Sequence, residues 1–178
     1  LGVGWGYSQA NINRRAKDVD GIAFLGMDPD GETDRKMGII RLDKEDGSPL
    51  AIIVNYPIHG TVLGNTPWLS ADAPGMVSEY VQQILGVPCL FINGAAGNLA
   101  PVYSGGQNLN DPFLRQFRTL IGDKVLEANS RILTSRDVAL YTQEIVVETP
   151  RGKDLGWPET FGKYTRTTAS GENLVRLP

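Results

Sequence analysis

Two short segments carry the residue types that chemistry needs. The first, Pro57-Ile58-His59-Gly60-Thr61, contains the sole histidine of the 178-residue chain. Histidine is the commonest metal ligand and the usual general base near neutral pH. His59 therefore reads either as a ligand or base, or as an imidazole satisfied by backbone groups at a strand end. The second segment is Gly94-Ala95-Ala96-Gly97-Asn98. Its small residues allow close backbone approach, and exposed N–H groups there suit an anion or oxyanion. The alternative is a tight turn with positive φ at glycine. Asp72 reads as a helix cap or as the carboxylate that orients a metal-bound histidine. Arg14 and Arg15 could clamp a carboxylate or polarise a carbonyl, or simply supply surface charge. Trp5, Trp68 and Trp157 would line an apolar cleft or pack into loops and core.

The elements that must position these residues follow from the apolar pattern. Met37–Leu42 and Leu50–Tyr56 are Ile-rich and flank Asp46-Gly47, which predicts a hairpin. Ala51-Ile52-Ile53-Val54 is apolar on both faces, as expected of a strand inside a sheet covered on both sides. It delivers His59 just past its end. Ser70-Ala71-Asp72-Ala73-Pro74 reads as a helix start, and Met76, Val77, Tyr80, Val81, Ile84 and Leu85 give the helical stripe that Gly86 ends. Val87–Ile92 reads as a second buried strand with Cys89 in the core, feeding the glycine loop. A further amphipathic helix spans roughly residues 110–130, and a strand is expected near Val138–Glu148. Strand, helix, strand, helix, strand predicts an α/β fold, a mixed β-sheet flanked by helices. The first 35 residues read as irregular. Gly2, Gly4 and Gly6 fail as a nucleotide loop, because no strand precedes them and no G-x-G-x-x-G completes them. Residues 149–178 are polar and glycine-rich, and read as a loop or lid.

Composition narrows the function. One histidine and one cysteine exclude a zinc finger, an iron–sulfur cluster, a disulfide framework or a multi-histidine metal site built from this chain alone. Lys and Arg total 17 against 20 Asp and Glu, a formal charge of −3, so no basic stripe points to nucleic acid. Apolar runs reach about five residues, far below the roughly 20 of a transmembrane helix. The chain starts at Leu1 rather than Met and stops as an apolar segment begins. This predicts a piece of a longer polypeptide, with the remainder of that polypeptide as its partner.

Four segments, in order and at plausible spacing, resemble the neutral (non-lysosomal) ceramidases and their bacterial relatives. Asn11-Ile12-Asn13-Arg14-Arg15 is similar to the family's Asn-Arg-Ser segment, with Arg14 on its arginine. Met37-Gly38-Ile39-Ile40 through Asn55-Tyr56-Pro57-Ile58-His59-Gly60-Thr61 resembles the hairpin that delivers a zinc-binding histidine. Leu69-Ser70-Ala71-Asp72-Ala73-Pro74-Gly75 looks like Ile-Ser-x-Asp-x-x-Gly, and Gly97-Asn98-Leu99-Ala100-Pro101 resembles Gly-Asp/Asn-x-Ser-Pro. The resemblance implies a zinc-dependent amidase acting on an N-acyl, ceramide-like or other lipid-like substrate, in a secreted, periplasmic or cell-surface protein. It implies zinc held by two histidines, a glutamate and a tyrosine, of which His59 alone maps here. The others would lie before Leu1 and beyond Pro178. Arg14 and Asn98 take catalytic roles, Arg14 at the developing oxyanion and Asn98 positioning substrate. Gly97 and Ala100 fall at the substrate, and Asp72 stands behind the metal ligand. Ala100 departs from the family's serine, which leaves three readings: hydrolysis by metal-activated water, an inactive relative that binds a lipid or glycan, or an engineered Ser-to-Ala replacement. Water attack is preferred, because zinc lowers the pKa of bound water to about 7. An ester or peptide-like amide is a further possible bond.

Overall fold

The glycine-spaced N-terminus folds as strands, contrary to its irregular reading. β1 (Gly2–Tyr7), β2 (Asn11–Lys17) and β3 (Ala23–Asp28) occupy most of the first 28 residues. Gly2, Gly4 and Gly6 recur at the period of one strand face. A Cβ on Gly2 would stand 2.6 Å from Ile132 Cγ2, and one on Gly4 would stand 2.5 Å from Ile132 Cγ1. The glycines flatten one strand face so that the segment after the last helix can lie on it.

The computed structural model describes residues 1–150, 165–167, 169–170 and 173–177. The chain falls into two units, Leu1–Val138 and Ala139–Pro178. In the first, the predicted hairpin is β4 (Lys36–Asp43) with β5 (Pro49–Tyr56), paired antiparallel with Ile40 opposite Ile53. Gly47 turns it with a φ of 83°, a conformation open to glycine at no steric cost. β5 leads through α1 (Asp72–Leu85) to β6 (Cys89–Asn93), which returns parallel to β5. The sheet order is β1-β4-β5-β6, so an antiparallel sheet carries one parallel pair. This is the mixed α/β sheet expected. A second sheet, β3-β2-β7, includes the three-residue β7 (Leu99–Pro101).

The predicted helix over 110–130 is three consecutive pieces: α2 (Pro112–Arg115), a π-helical stretch (Arg118–Asp123) and α3 (Lys124–Asn129). Asp111 caps its start by accepting the Phe113 N–H at 2.8 Å, and Pro112 needs no donor there. Met37, Ile39, Val54 and Tyr56 from the sheet meet Val77, Val81, Phe117, Ile121 and Val125 from the helices, all fully buried. Each such side chain contributes about 1.5–3 kcal/mol of hydrophobic stabilisation. Cys89 is buried in this core, and burial pushes its thiol pKa up to about 11. The expected two-sided cover of β5 is met on one face. On the other, Ala51 and Ile53 are half-buried, while Leu90 and Ile92 of the neighbouring strand are exposed. Ile84, placed on the helix stripe by its spacing, is also exposed.

In the second unit, β8 (Val147–Pro150), β9 (Thr165–Thr167) and β10 (Asn173–Leu177) form an antiparallel sheet in the order β8-β10-β9. Two readings change here. The strand expected over Val138–Glu148 begins only at Val147, because its residues 139–146 have no pairing partner among the described residues. The stretch 149–178, read as loop or lid, contributes to all three strands in its described parts. Its polar composition hid pairing that rests on backbone hydrogen bonds. No described helix is long and apolar enough to cross a membrane.

Candidate functional site

The parallel pairing of β5 and β6 sets Tyr56 opposite Asn93, so the His59 loop and the glycine loop leave the same edge side by side. Loops beyond the carboxyl ends of parallel strands are where α/β sheets gather ligands. The two are joined at their roots. Asn93 Oδ1 accepts the Ile58 N–H at 3.0 Å, and the Gly94 N–H donates to the Tyr56 carbonyl at 3.2 Å. A Cβ on Gly94 would stand 3.0 Å from Pro57 Cβ and 3.1 Å from Pro57 N. Close approach therefore explains this glycine. Neither Gly94 nor Gly97 has positive φ, so the left-handed turn is not the one adopted.

His59 is partly buried directly after the fully buried Ile58. Its Nδ1 is buried and makes no hydrogen bond, whereas Nε2 is not enclosed in this way. Asp72, placed by sequence behind the histidine, has its carboxylate engaged elsewhere. Oδ1 accepts the Val62 and Ala73 N–H groups at 3.0 and 2.7 Å, and Oδ2 accepts the Leu63 N–H at 3.0 Å. It is a clasp that ties the strand-to-helix loop to the first turn of α1. Asp72 holds it with a φ of 53°, the sole non-glycine positive φ among the described residues. Such a conformation costs roughly 1–2 kcal/mol, which the three hydrogen bonds offset.

Arg14 reaches the glycine loop from β2. Pairing of β2 with β7 sets Ile12 opposite Ala100, and the Arg14 N–H donates to the Asn98 carbonyl at 2.8 Å. The Arg14 guanidinium donates from Nε and Nη2 to the Gly97 carbonyl at 3.2 and 3.1 Å, and Arg15 Nη2 joins at 3.5 Å. Gly97 itself faces open space at its Cα. Asn98 Nδ2 donates to the Glu32 carbonyl at 3.4 Å. Arg14, Gly97, Asn98 and Ala100 thus lie together where the glycine loop runs into β7 alongside β2. Trp5 and Trp68 are exposed, with Lys36 Nζ 3.8 Å above the Trp5 ring; Trp157 lies outside the described residues.

Sequence reading missed two asparagines and a tyrosine that hold this region. Asn11 Nδ2 donates to the Pro57 carbonyl at 2.6 Å and to the Asp34 carbonyl at 2.8 Å. Asn93 bridges the loops as described above. Tyr56, fully buried, donates from its hydroxyl to the Ser8 carbonyl at 3.0 Å, and burial pushes its phenol up to about 12. One signal was available. Asparagine is depleted in strands, yet Asn11 and Asn13 share one buried face of β2.

Zinc chemistry asks for neutral nitrogen or anionic oxygen donors. Among the described residues no three His, Cys, Asp or Glu side chains converge to hold a metal. His59 supplies one suitable nitrogen donor for such a group, its unenclosed Nε2.

No protein-family description matches this chain, and no curated protein matches it. Solved structures do. A ceramidase complexed with C2 superposes with a TM-score of 0.56 at 21% identity, over 73% of this chain and 22% of that one. Neutral ceramidase from Pseudomonas aeruginosa gives 0.52 at 20% identity with the same coverage. In fold, this chain is similar to part of a bacterial neutral ceramidase, spanning about a fifth of that protein's length.

Proposed function

We propose that this chain contributes to a zinc-dependent hydrolase that cleaves the amide bond of an N-acyl, lipid-like substrate. What supports this reading is that the loop carrying His59 and the loop that Arg14 contacts at Gly97 both leave the edge where β5 and β6 end together. His59 is the zinc ligand from this segment, and the other ligands come from outside these 178 residues. Zinc, when bound, supplies a Lewis acid and a water of near-neutral pKa.

The chain's own residues then divide the remaining work. Arg14 spends two of its N–H groups on the Gly97 carbonyl, which fixes the guanidinium plane. Its remaining donors at Nη1 stabilise negative charge developing on the acyl oxygen. Asn98 and the open Cα of Gly97 border the substrate. Ala100 offers neither a nucleophile nor a hydroxyl, so the segment's part in bond cleavage is binding and electrostatic. Asp72 acts at one remove by holding the loop that presents His59.

The test is zinc content and N-acyl amide hydrolysis of the full-length protein and its His59→Ala variant. Stoichiometric zinc and hydrolysis in the parent, both lost in the variant, are expected. Retention of both by His59→Ala would overturn the assignment. Ala100 favours one second reading, a catalytically silent binder of lipid or glycan. A zinc-free parent protein that binds such a ligand without hydrolysing it would establish that reading instead.

A further inference from the structure

Buried polar atoms are almost always hydrogen-bonded, and each exception calls for an explanation. Among the described residues two buried side-chain atoms lack a partner, Asn11 Oδ1 and His59 Nδ1. They are chemically complementary. An amide oxygen only accepts, whereas Nδ1 donates in one of the two neutral imidazole tautomers. They also belong to one joint, since Asn11 bonds the Pro57 carbonyl two residues before His59. The amide orientation is determined by its partners. Both the Pro57 and Asp34 carbonyls require a donor, so the nitrogen end faces them and the oxygen end is left over. Asn11 is 1% exposed, which keeps bulk solvent from that oxygen.

We infer that Asn11 is the positioning residue for His59. Its Oδ1, not bonded to the imidazole in the structure, accepts the Nδ1–H after a small side-chain adjustment and so holds the ring in the Nδ1–H tautomer. That tautomer leaves the lone pair on Nε2, the nitrogen that is not enclosed. A ligating histidine is oriented in this way by an acceptor on its other nitrogen. Asp72 does not supply the acceptor in the structure: its oxygens take the Val62, Leu63 and Ala73 N–H groups, and His59 Nδ1 has no partner. Asn11 also reaches the loop from the strand that carries Arg14, so one side chain couples the positions of both groups. The inference builds on the proposed role of His59, yet it concerns the metal-free protein and is tested there.

The experiment is a long-range nitrogen–proton correlation spectrum of the metal-free full-length protein, with the His59 imidazole signals identified by their loss in His59→Gln. The expected result is a predominant Nδ1–H tautomer in the parent. In folded Asn11→Ala the preference should move to Nε2–H, the form that a free histidine side chain favours. An Nε2–H tautomer in the parent would overturn the inference, as would an unchanged Nδ1–H tautomer in folded Asn11→Ala. If Asn11→Ala does not fold, the parent spectrum decides alone. A protein that binds no zinc yet shows the Asn11-dependent tautomer would refute the proposed function while leaving this inference standing.

Discussion

After β5, the chain from Pro57 to Leu63 is tied down by side chains from three other places. Asn11 holds Pro57, Asn93 holds Ile58, and Asp72 holds Val62 and Leu63. After β6, the chain from Gly94 to Asn98 shares its root with the first loop but then opens out. At Gly97 it meets a guanidinium on its carbonyl and open space at its Cα. The contrast suggests a division of labour. The His59 loop is held at several points, as the proposed function requires of a loop that presents a ligand at a set angle, whereas the glycine loop leaves room for something to lie against it.

Removing the clasp tests the rigid side most severely. Asp72→Ala leaves the buried Val62 and Leu63 N–H groups without acceptors, at about 1–3 kcal/mol each. A loss of about 2–6 kcal/mol is expected in urea unfolding. Asp72→Gly, free of the positive-φ penalty, should be the milder variant by about 1 kcal/mol. If Asp72→Ala unfolds at the parent midpoint, the clasp does not hold the loop.

The open side should respond in activity rather than stability. Arg14→Ala is expected to lower kcat by about 100-fold, the scale of losing one donor at a developing oxyanion. Its unfolding midpoint should barely move. A large stability loss with unchanged kcat would make Arg14 a structural brace instead.

One substitution made at two glycines sharpens the contrast further. Gly94→Ala drives a Cβ against Pro57 and should cost about 1–3 kcal/mol, as overpacking does. Gly97→Ala meets nothing within 4 Å and should stay within about 0.5 kcal/mol of the parent. Equal costs would erase the difference between the loops.

A further effect is absent at neutral pH and emerges only in alkali. Burial raises the Tyr56 phenol from 10.0 to about 12 and the Cys89 thiol from 9.0 to about 11. The folded state therefore holds these protons more tightly than the unfolded chain does. Their contribution is intact below pH 9 and is lost as pH rises from about 9 to 12. Unfolding followed across that range should show stability falling with pH, and Tyr56→Phe should flatten the upper part of the fall.

How much of this was legible varies by element. The β4–β5 hairpin, α1 and β6 were readable because apolar periodicity and an Asp-Gly turn are local signals. β1 was not, because a glycine stripe looks irregular until Ile132 is seen lying on it. β7 is three residues long and exists only through its pairing with β2. Asp72 carried two plausible local roles, and neither includes the Val62 and Leu63 N–H groups that occupy it. Asn11 showed no function at all in the sequence, since its partners lie 23 and 46 residues away.

The α/β order, the buried place of Cys89 and the position of His59 just past a buried strand are all readable from the residues. Periodicity and turn chemistry act over a few residues and can be read from them. That Arg14 rests on the Gly97 carbonyl, that Asp72 serves a loop rather than the imidazole, and that Asn11 stands behind the histidine's loop emerge only in the folded chain. Each of these depends on which distant backbone group is left without a partner, and the chain settles that only when its strands have paired.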